Sequence, residues 1–266
     1  MSYNSARDEL FLADYKNKVV RAMRVRDNAG DLLDVYRGTV HDTSPLVSSV
    51  CHIKDSDTLL MCSYEVGPDR KLAYAWLVEL SRNGSEWLEA HRVQTDEIGR
   101  ISCELSDSQV LIGGGSYCGS TYMELFRLES GQRIARVHRI RVPEKYYTFS
   151  ATCGSDTLVA MTYPSPDQSV QVHRLLGDRL EKLARIQLKA PNNLLWLADR
   201  LLVADFDREK KSDAVIELEV SDTRLERRRE LIAASENFDV KRFCAVNDGL
   251  AIFDFKSKDI LHYSIV

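Results

Sequence analysis

Short apolar runs alternate with polar segments along the whole chain, and one kind of run returns at a nearly constant interval. In each copy an aspartate is followed closely by a run of strand-forming apolar residues. The six aspartates are Asp8, Asp57, Asp107, Asp156, Asp199 and Asp248. Their successive spacings are 49, 50, 49, 43 and 49 residues. A period of this length indicates a repeat architecture, which decides the whole fold.

Each copy also contains further runs that alternate apolar and polar residues, as half-buried strands do. The second runs are KVVRAMRV (18–25), YAWLVEL (74–80), YMELFRL (122–128), VQVHRLL (170–176), AVIELEV (214–220) and DILHYSIV (259–266). A third run with a central arginine follows in five copies, and a short run precedes the aspartate in copies two to six. Four short antiparallel strands in each copy are the pattern of a β-propeller blade.

The sequence therefore predicts an all-β fold, namely a six-bladed β-propeller of four-stranded antiparallel blades. It is expected to form a single domain over residues 1–266. The predicted blades are approximately 1–40, 46–95, 98–142, 146–188, 192–233 and 239–266. No segment has a 3.6-residue period with helix caps, and a β-sandwich array is the alternative fold.

An incomplete blade is predicted where the chain termini meet. The sixth copy ends after its third strand, and only MSYNSAR precedes the first aspartate. That segment is long enough to be the outer strand of blade six or the inner strand of blade one, but not both. The exposed edge either stays blunt or pairs with another chain, because unpaired backbone groups template strand addition. Pairing of two copies of the chain through this edge is therefore one expected interaction.

Two positions recur within the blades. The sixth residue after the aspartate is small and polar, and an aromatic residue follows it. These polar residues are Asp14, Ser63, Thr162, Asp205 and Asp254, and the third copy has glycines 113–115 instead. Recurrence favours a repeated internal hydrogen bond, and the alternative is a set of carboxylates that face one ligand. The six aspartates that begin the runs are interpreted as turn-forming, with ligand contact as their alternative.

The run DELFLADYKNKVVRAMRV resembles the blade core of NHL and YVTN-type propellers, in which an apolar strand ending in Ala-Asp precedes Asn and a valine-rich strand. The runs LLVADF and LAIFDF are similar. The resemblance covers the second and third strands of a blade and implies architecture only. The chain has no Trp-Asp dipeptide and no Gly-His pair, so it departs from the WD40 pattern.

Composition narrows the class of protein. A formal charge of −4 with 29% charged residues leaves no basic stripe for a phosphate backbone, so nucleic acid is not an expected partner. The cluster Arg227 to Arg229 is flanked by Glu226 and Glu230 and is interpreted as a solvated outer strand. No apolar stretch is long enough for a bilayer and no signal-peptide core is present, so we expect a cytoplasmic protein without membrane contact.

The residues carry no recognisable catalytic or metal-binding motif. Six cysteines without a CxxC pair suggest reduced, structural thiols, and those at 51, 103, 153 and 244 fall in predicted inner strands. The sequence therefore predicts no catalytic, metal-binding or cofactor-binding residue. The leading hypothesis is a non-catalytic protein-interaction scaffold or adaptor with an unidentified protein partner. The alternative is a six-bladed propeller hydrolase, lactonase-like, with an axial metal site.

Overall fold

The computed structural model is all-β throughout the residues that it describes. These are 1–25, 33–37, 45–53, 57–67, 72–96, 99–105, 109–114, 120–129, 133–146, 151–155, 158–163, 167–197, 199–221, 224–233, 240–247, 249–254, 256–257 and 259–264. Within these ranges, no helix has the length and apolar character that crossing a bilayer requires.

The alternating runs of the sequence form 23 strands in these ranges. The first twelve are β1 (Ser2–Asn4), β2 (Glu9–Asp14), β3 (Val19–Arg24), β4 (Leu33–Tyr36), β5 (Leu46–His52), β6 (Thr58–Val66), β7 (Leu72–Asn83), β8 (Glu86–Gln94), β9 (Gly99–Leu105), β10 (Gln109–Gly114), β11 (Ser120–Glu129) and β12 (Arg133–Tyr146). The others are β13 (Ala151–Ser155), β14 (Leu158–Tyr163), β15 (Ser169–Leu176), β16 (Arg179–Gln187), β17 (Pro191–Leu197), β18 (Arg200–Asp207), β19 (Ser212–Val220), β20 (Leu225–Ile232), β21 (Val240–Val246), β22 (Gly249–Asp254) and β23 (Ile260–Ser264).

The strands are arranged in five hydrogen-bonded sheets. Three sheets hold four consecutive strands each, namely β1–β4, β5–β8 and β17–β20. A further sheet has three strands, β21–β23, and the largest has the order β13-β14-β15-β16-β12-β11-β10-β9. Consecutive strands pair antiparallel, as in β2 with β3 and β18 with β19. The predicted class is confirmed, since the described residues are all-β and three of the five sheets are four-stranded antiparallel blades of a β-propeller.

The count of separate sheets differs from the predicted six. The third and fourth groups of four strands share one eight-stranded sheet, because Arg141 of β12 pairs in parallel with Arg179 of β16. The Arg141 N–H donates to the carbonyl oxygen of Asp178 at 3.0 Å. This bridge is possible because β12 has 14 residues, whereas the other outer strands have four to nine.

The chain forms two compact units. The first contains residues 1–116 and 125–137, and the second contains residues 117–124 and 138–266. In the first unit, one core cluster lies between the first two sheets and includes Phe11, Met61 and Trp87. The Phe11 and Trp87 rings meet edge to face with centroids 5.6 Å apart, which is a favoured aromatic geometry.

The second unit has its own buried clusters. One lies between β14, β15 and the sheet β17–β20, and includes Val172, Leu201 and Ile216. Another lies between that sheet and β21–β23, and includes Val215 and Ile252. Within this unit the inner strand β13 packs on β17, and β17 packs on β21. Both faces of the sheet β17–β20 are therefore buried, which explains why its strand β18 has apolar residues on both faces, namely Leu201, Leu202, Val203 and Ala204.

The N-terminal segment takes one of its two predicted positions. Residues Ser2, Tyr3 and Asn4 of β1 pair antiparallel with Phe11, Leu10 and Glu9 of β2, so the segment is the inner strand of the first blade. The last blade has three strands in the described residues, as the sequence predicted.

Several hairpins place a non-glycine residue in the left-handed region directly before the third strand of a blade. Lys18, Gln168 and Lys211 have φ of 60°, 49° and 51° and precede β3, β15 and β19. This conformation costs about 1 kcal/mol or more for an L-residue. Its recurrence in three blades indicates that the turn geometry, which the blade packing fixes, outweighs that local cost.

Candidate functional site

The recurring polar residues lie where the second strand of each blade ends. Asp14 accepts hydrogen bonds from the backbone N–H and side-chain amide of Asn17, at 3.0 and 2.8 Å. Burial alone would raise the pKa of Asp14, but these bonds and the Arg21 guanidinium outweigh it and hold the pKa below its usual range. Asp254 accepts from the N–H groups of Lys256 and Ser257 at 3.1 and 3.3 Å. Both carboxylates thus hold the turn that follows their strand.

The hydroxyl-bearing copies of this position differ from the carboxylates. Ser63 in β6 is 3% exposed, and its Oγ has no hydrogen-bond partner among the described residues. Thr162 in β14 is fully buried. The recurring position is therefore polar in five copies, but its residues do not all make the same hydrogen bond.

Asp205 in β18 has partners of another kind. Its carboxylate accepts the N–H groups of Lys189 and Ala190, at 3.2 and 2.7 Å, from the loop before β17. Burial raises the pKa of Asp205, and these two hydrogen bonds and the nearby ammonium of Lys189 oppose the rise only in part. A carboxyl group of raised pKa binds and releases a proton closer to neutral pH than an exposed one does.

Asp207 supplies a second carboxylate to the same strand end. It accepts a hydrogen bond from Nζ of Lys189 at 2.6 Å and from the N–H groups of Glu209 and Lys210 at 2.9 and 3.2 Å. The bond from Lys189 is the main reason that the pKa of Asp207 is lowered, and the same bond raises the pKa of Lys189. We call Lys189, Asp205 and Asp207 the blade-five cluster.

A fully buried carboxylate lies in the neighbouring strand. Asp213 of β19 is 0% exposed and accepts Nδ2 of Asn192 and the backbone N–H of Val240, both at 2.7 Å. It thus joins the inner strands β17 and β21. Since both of these partners are fixed by the fold, the role of Asp213 is structural.

The aspartates that begin each run have different surroundings. Asp8 lies in a turn with φ of 56° and accepts the Tyr3 hydroxyl at 2.6 Å. Asp57 accepts two hydrogen bonds from the Arg7 guanidinium, both at 2.9 Å. The Asp199 side chain is 88% exposed. The remaining three, Asp107, Asp156 and Asp248, lie outside the described residues.

The cysteines of the predicted inner strands lie on β5, β9, β13 and β21. Cys244 of β21 is buried among apolar residues, and burial raises the pKa of its thiol to about 11. A thiol with this pKa is unreactive at neutral pH. Cys51 of β5 is half-buried, and its thiol lies 3.6 Å from the carbonyl oxygen of His52.

The part of the chain that the structure describes contains no group of three His, Cys, Asp or Glu residues that could hold a metal ion. The blade-five cluster was missed in the sequence because only Asp205 belongs to the repeat. The signal was the pair of aspartates that flank Phe206, since two carboxylates at the end of an apolar strand need nearby donors. Nothing in the sequence pointed to Lys189, which lies in the loop between β16 and β17 and donates to Asp207 at the end of β18.

Comparison with known proteins identifies the fold and no family. No protein-family model matches the chain. No curated protein matches it either. The resemblance to NHL and YVTN-type propellers therefore stays a prediction about the blade core.

Solved structures do resemble the chain over nearly its whole length. A "putative 6-phosphogluconolactonase" from Bacteroides fragilis is 8% identical, with a TM-score of 0.61 over 98% of this chain and 92% of the other. A luciferin-regenerating enzyme is 9% identical, with a TM-score of 0.60 over 98% and 88%. A chain of the Mitotic Checkpoint Complex is 10% identical, with a TM-score of 0.61 over 99% and 86%. At these identities the likeness defines a fold alone, that of a β-propeller.

Proposed function

We propose that the chain is a hydrolase of the lactonase type that opens a ring ester at the blade-five cluster. The observation that carries the proposal is the position of Lys189 beside Asp205, a buried carboxyl group of raised pKa. The Lys189 N–H donates to Asp205 at 3.2 Å, and the Lys189 ammonium group donates to the neighbouring Asp207 at 2.6 Å. The Lys189 side chain is 62% exposed, so a substrate can reach it. A carboxyl group with a raised pKa beside a cation is a typical general-base arrangement.

The chemistry follows from the roles that these groups can take. The Asp205 carboxylate accepts a proton from a water molecule, whose oxygen attacks the lactone carbonyl. The Lys189 ammonium stabilises the negative oxygen that develops, and Asp207 holds the lysine in place. The ring C–O bond then breaks, and the leaving alkoxide takes the proton from Asp205. The product is the open-chain hydroxy acid.

Two similar structures have the names of enzymes, which favours an enzyme over a scaffold. One carries a lactonase name and the other is a luciferin-regenerating enzyme. The axial metal that the sequence-based alternative included has no three-donor group among the described residues. The proposed steps use side chains of the protein and a water molecule.

The test is a pH-stat assay of the purified chain on a panel of five- and six-membered lactones, with and without a phosphate group, with a chelator and with added divalent cations. We expect Asp205→Asn and Lys189→Met each to lower kcat/KM by at least about tenfold. Lys210→Met is the matched control, because this exposed lysine contributes only its backbone N–H to Asp207. Unchanged rates in both cluster variants, or no turnover of any lactone, would contradict the proposal.

A scaffold function is the second candidate, because the first unit exposes three large apolar or aromatic side chains. Tyr15, Val66 and Tyr74 are 53%, 39% and 52% exposed at the ends of β2 and β6 and the start of β7. Tyr15 lies 6.3 Å from the Tyr64 ring, and Tyr74 stacks on Trp76 at 5.5 Å. Exposed aromatic groups of this kind mark protein interfaces.

A pulldown with the wild-type chain and with a Tyr15→Ser, Tyr74→Ser double variant tests this candidate. A stoichiometric partner that the double variant loses would support it. Leu88→Ser, a change at another exposed apolar side chain, is the control. Light scattering of the same samples tests self-association through the edge strand β23, which is part of this candidate function.

A further inference from the structure

The strand β19 buries a second carboxylate, and arginines surround it. Glu217 is 0% exposed. Its Oε2 accepts a hydrogen bond from Nε of Arg229 at 2.9 Å, and Nη1 of Arg200 lies 4.0 Å away. Nη1 of Arg228 lies 3.2 Å from Oε1. Three guanidinium groups from two strands therefore meet one carboxylate.

An irregularity in the sheet brings two consecutive arginines to this carboxylate. In a regular strand, neighbouring side chains point to opposite faces. Here Leu218 pairs with Arg227 and Glu217 pairs with Arg229, so Arg228 is an extra residue in β20. A bulge of this kind redirects a side chain, and such bulges are frequent next to functional sites. The bulge is the reason that Arg228 and Arg229 both reach Glu217.

The cluster has more positive charge than the carboxylate neutralises. Each guanidinium has five N–H donors, and the side chains of Arg200 and Arg228 are 33% and 53% exposed. Asp199, 3.8 Å from Arg200, is 88% exposed, so solvent screens that pair. Arg200 and Arg228 therefore keep charge and donors that face solvent, while Glu217 fixes their positions.

The carboxylate itself has an unused acceptor. Oε1 of Glu217 is buried and receives no hydrogen bond in the described part of the chain, since the contact with Arg228 lacks hydrogen-bond geometry. A buried acceptor of this kind calls for a donor. A group that has both negative oxygens and an O–H satisfies the arginines and the carboxylate together. A phosphate monoester has both in its monoanionic form, which predominates below its second pKa of about 6.

We propose that Arg200, Arg228 and Arg229, held by Glu217, form a binding site for a phosphate monoester. Planar guanidinium groups bind phosphate oxygens in pairs, and a preorganised set loses little entropy on binding. The site lies apart from the blade-five cluster along the same strand, since Arg200 begins β18 and Asp205 lies near its end. It is independent of the proposed hydrolase activity.

Calorimetric titration of the full chain with inorganic phosphate, a sugar phosphate and a phosphoserine peptide tests the site. We expect saturable binding of at least one probe at low salt, weakened as salt rises because the contacts are ionic. Arg228→Gln should weaken it about tenfold or more. Arg227→Gln is the matched control, because Arg227 pairs with Glu230 at 2.6 Å and does not contact Glu217. The order of affinity among the three probes identifies the source of the phosphate.

Glu217→Gln separates a built site from a diffuse positive surface. Removal of the negative charge would strengthen binding to a surface that acts only through net charge. The proposal predicts weaker binding, because the arginines lose the group that positions them. Arg228→Lys keeps the charge without the planar fork and should also bind more weakly, and melting curves establish that each variant is folded. Absence of saturable binding by the wild type, or equal affinity in Arg228→Gln and wild type, would overturn the proposal.

Discussion

Arg82 and Glu9 join two sheets of the first unit through two parallel hydrogen bonds, each 2.7 Å long. Their side chains are only 14% and 13% exposed. The Arg82 guanidinium also lies 5.3 Å from the centre of the Trp87 ring, which packs edge to face with Phe11. Arg82 thus makes both an ion pair with Glu9 of the neighbouring sheet and a cation–π contact with Trp87.

We expect Arg82→Ala to lower the free energy of unfolding by about 2–4 kcal/mol, because it leaves the Glu9 carboxylate poorly solvated and unpaired. Urea denaturation of Arg82→Ala, Glu9→Gln and the double variant gives the coupling energy, expected at about 1–3 kcal/mol. Arg208→Ala, at an exposed turn residue, is the control and should change stability by less than about 0.5 kcal/mol. If the losses of unfolding free energy in the two single variants add up to the loss in the double variant, the Arg82–Glu9 ion pair has no coupling energy.

The sequence predicted the strands well because each blade repeats a local pattern. The run AVIELEV at 214–220 lies within β19, and VKRFCAV at 240–246 coincides with β21. Alternation and turn residues are local signals, so most strands were found with small shifts in their ends. An exception is β12, which extends six residues, from 141 to 146, beyond the predicted run RIARVHRI (133–140).

Long-range partners were not predictable in the same way. Glu9 and Arg82 are 73 residues apart, and nothing in their local sequence joins them. Glu217 occupies a polar position of an alternating run, which suggested an exposed side chain, yet it is fully buried. Two long-range features contribute: the face of β19 that holds Val215 and Glu217 packs toward β21–β23, and the bulge in β20 brings arginines to the carboxylate. A bulge changes which face a side chain occupies, and simple alternation does not contain that information.

Asp213 should be among the most sensitive polar residues of the second unit. In Asp213→Ala the amide of Asn192 and the N–H of Val240 lose their buried acceptor. We expect a loss of about 2–4 kcal/mol in unfolding free energy, the cost of unsatisfied buried donors. Hydrogen exchange at the Val240 amide should accelerate in parallel. Asp259→Ala, at an exposed residue of the same unit, should leave both measurements close to wild type.

The buried thiol of Cys244 makes stability depend on alkaline pH. Its pKa is raised from 9.0 to about 11 in the folded chain. Between these values the unfolded thiol loses its proton while the folded one keeps it, so stability falls as pH rises from about 9 through about 11. The full effect is about 3 kcal/mol.

The check is a comparison of unfolding free energy against pH for the wild type and Cys244→Ala. In Cys244→Ala the unfolding free energy should fall less between about pH 9 and 11 than in the wild type. Cys51→Ala, at a half-buried thiol, should show the same fall as the wild type. Lysines and tyrosines titrate in the same range in all three proteins, so the difference between the curves is the relevant quantity. Parallel curves would mean that the thiol ionises equally in both states.

Gly249 is the position where a single methyl group should disturb the last blade most. A Cβ added there would lie 2.3 Å from the carbonyl oxygen of Tyr263 and 3.0 Å from Nε2 of His262. The histidine can move, but the carbonyl belongs to the backbone of β23, which pairs with β22. Relief of the clash therefore requires the two strands to separate. We expect Gly249→Ala to destabilise the chain by about 2–4 kcal/mol and to expose the amides of β23 to hydrogen exchange.

Gly84→Ala distinguishes this clash from a general intolerance of glycine substitution. Gly84 has φ of +64° and open space where a Cβ would lie, so its cost is backbone strain alone, about 1 kcal/mol. Gly84→Asn should cost less, because asparagine tolerates the left-handed region. If Gly249→Ala cost no more than Gly84→Ala and left exchange in β23 unchanged, β22 and β23 would have to be less closely packed at this position than the structure indicates.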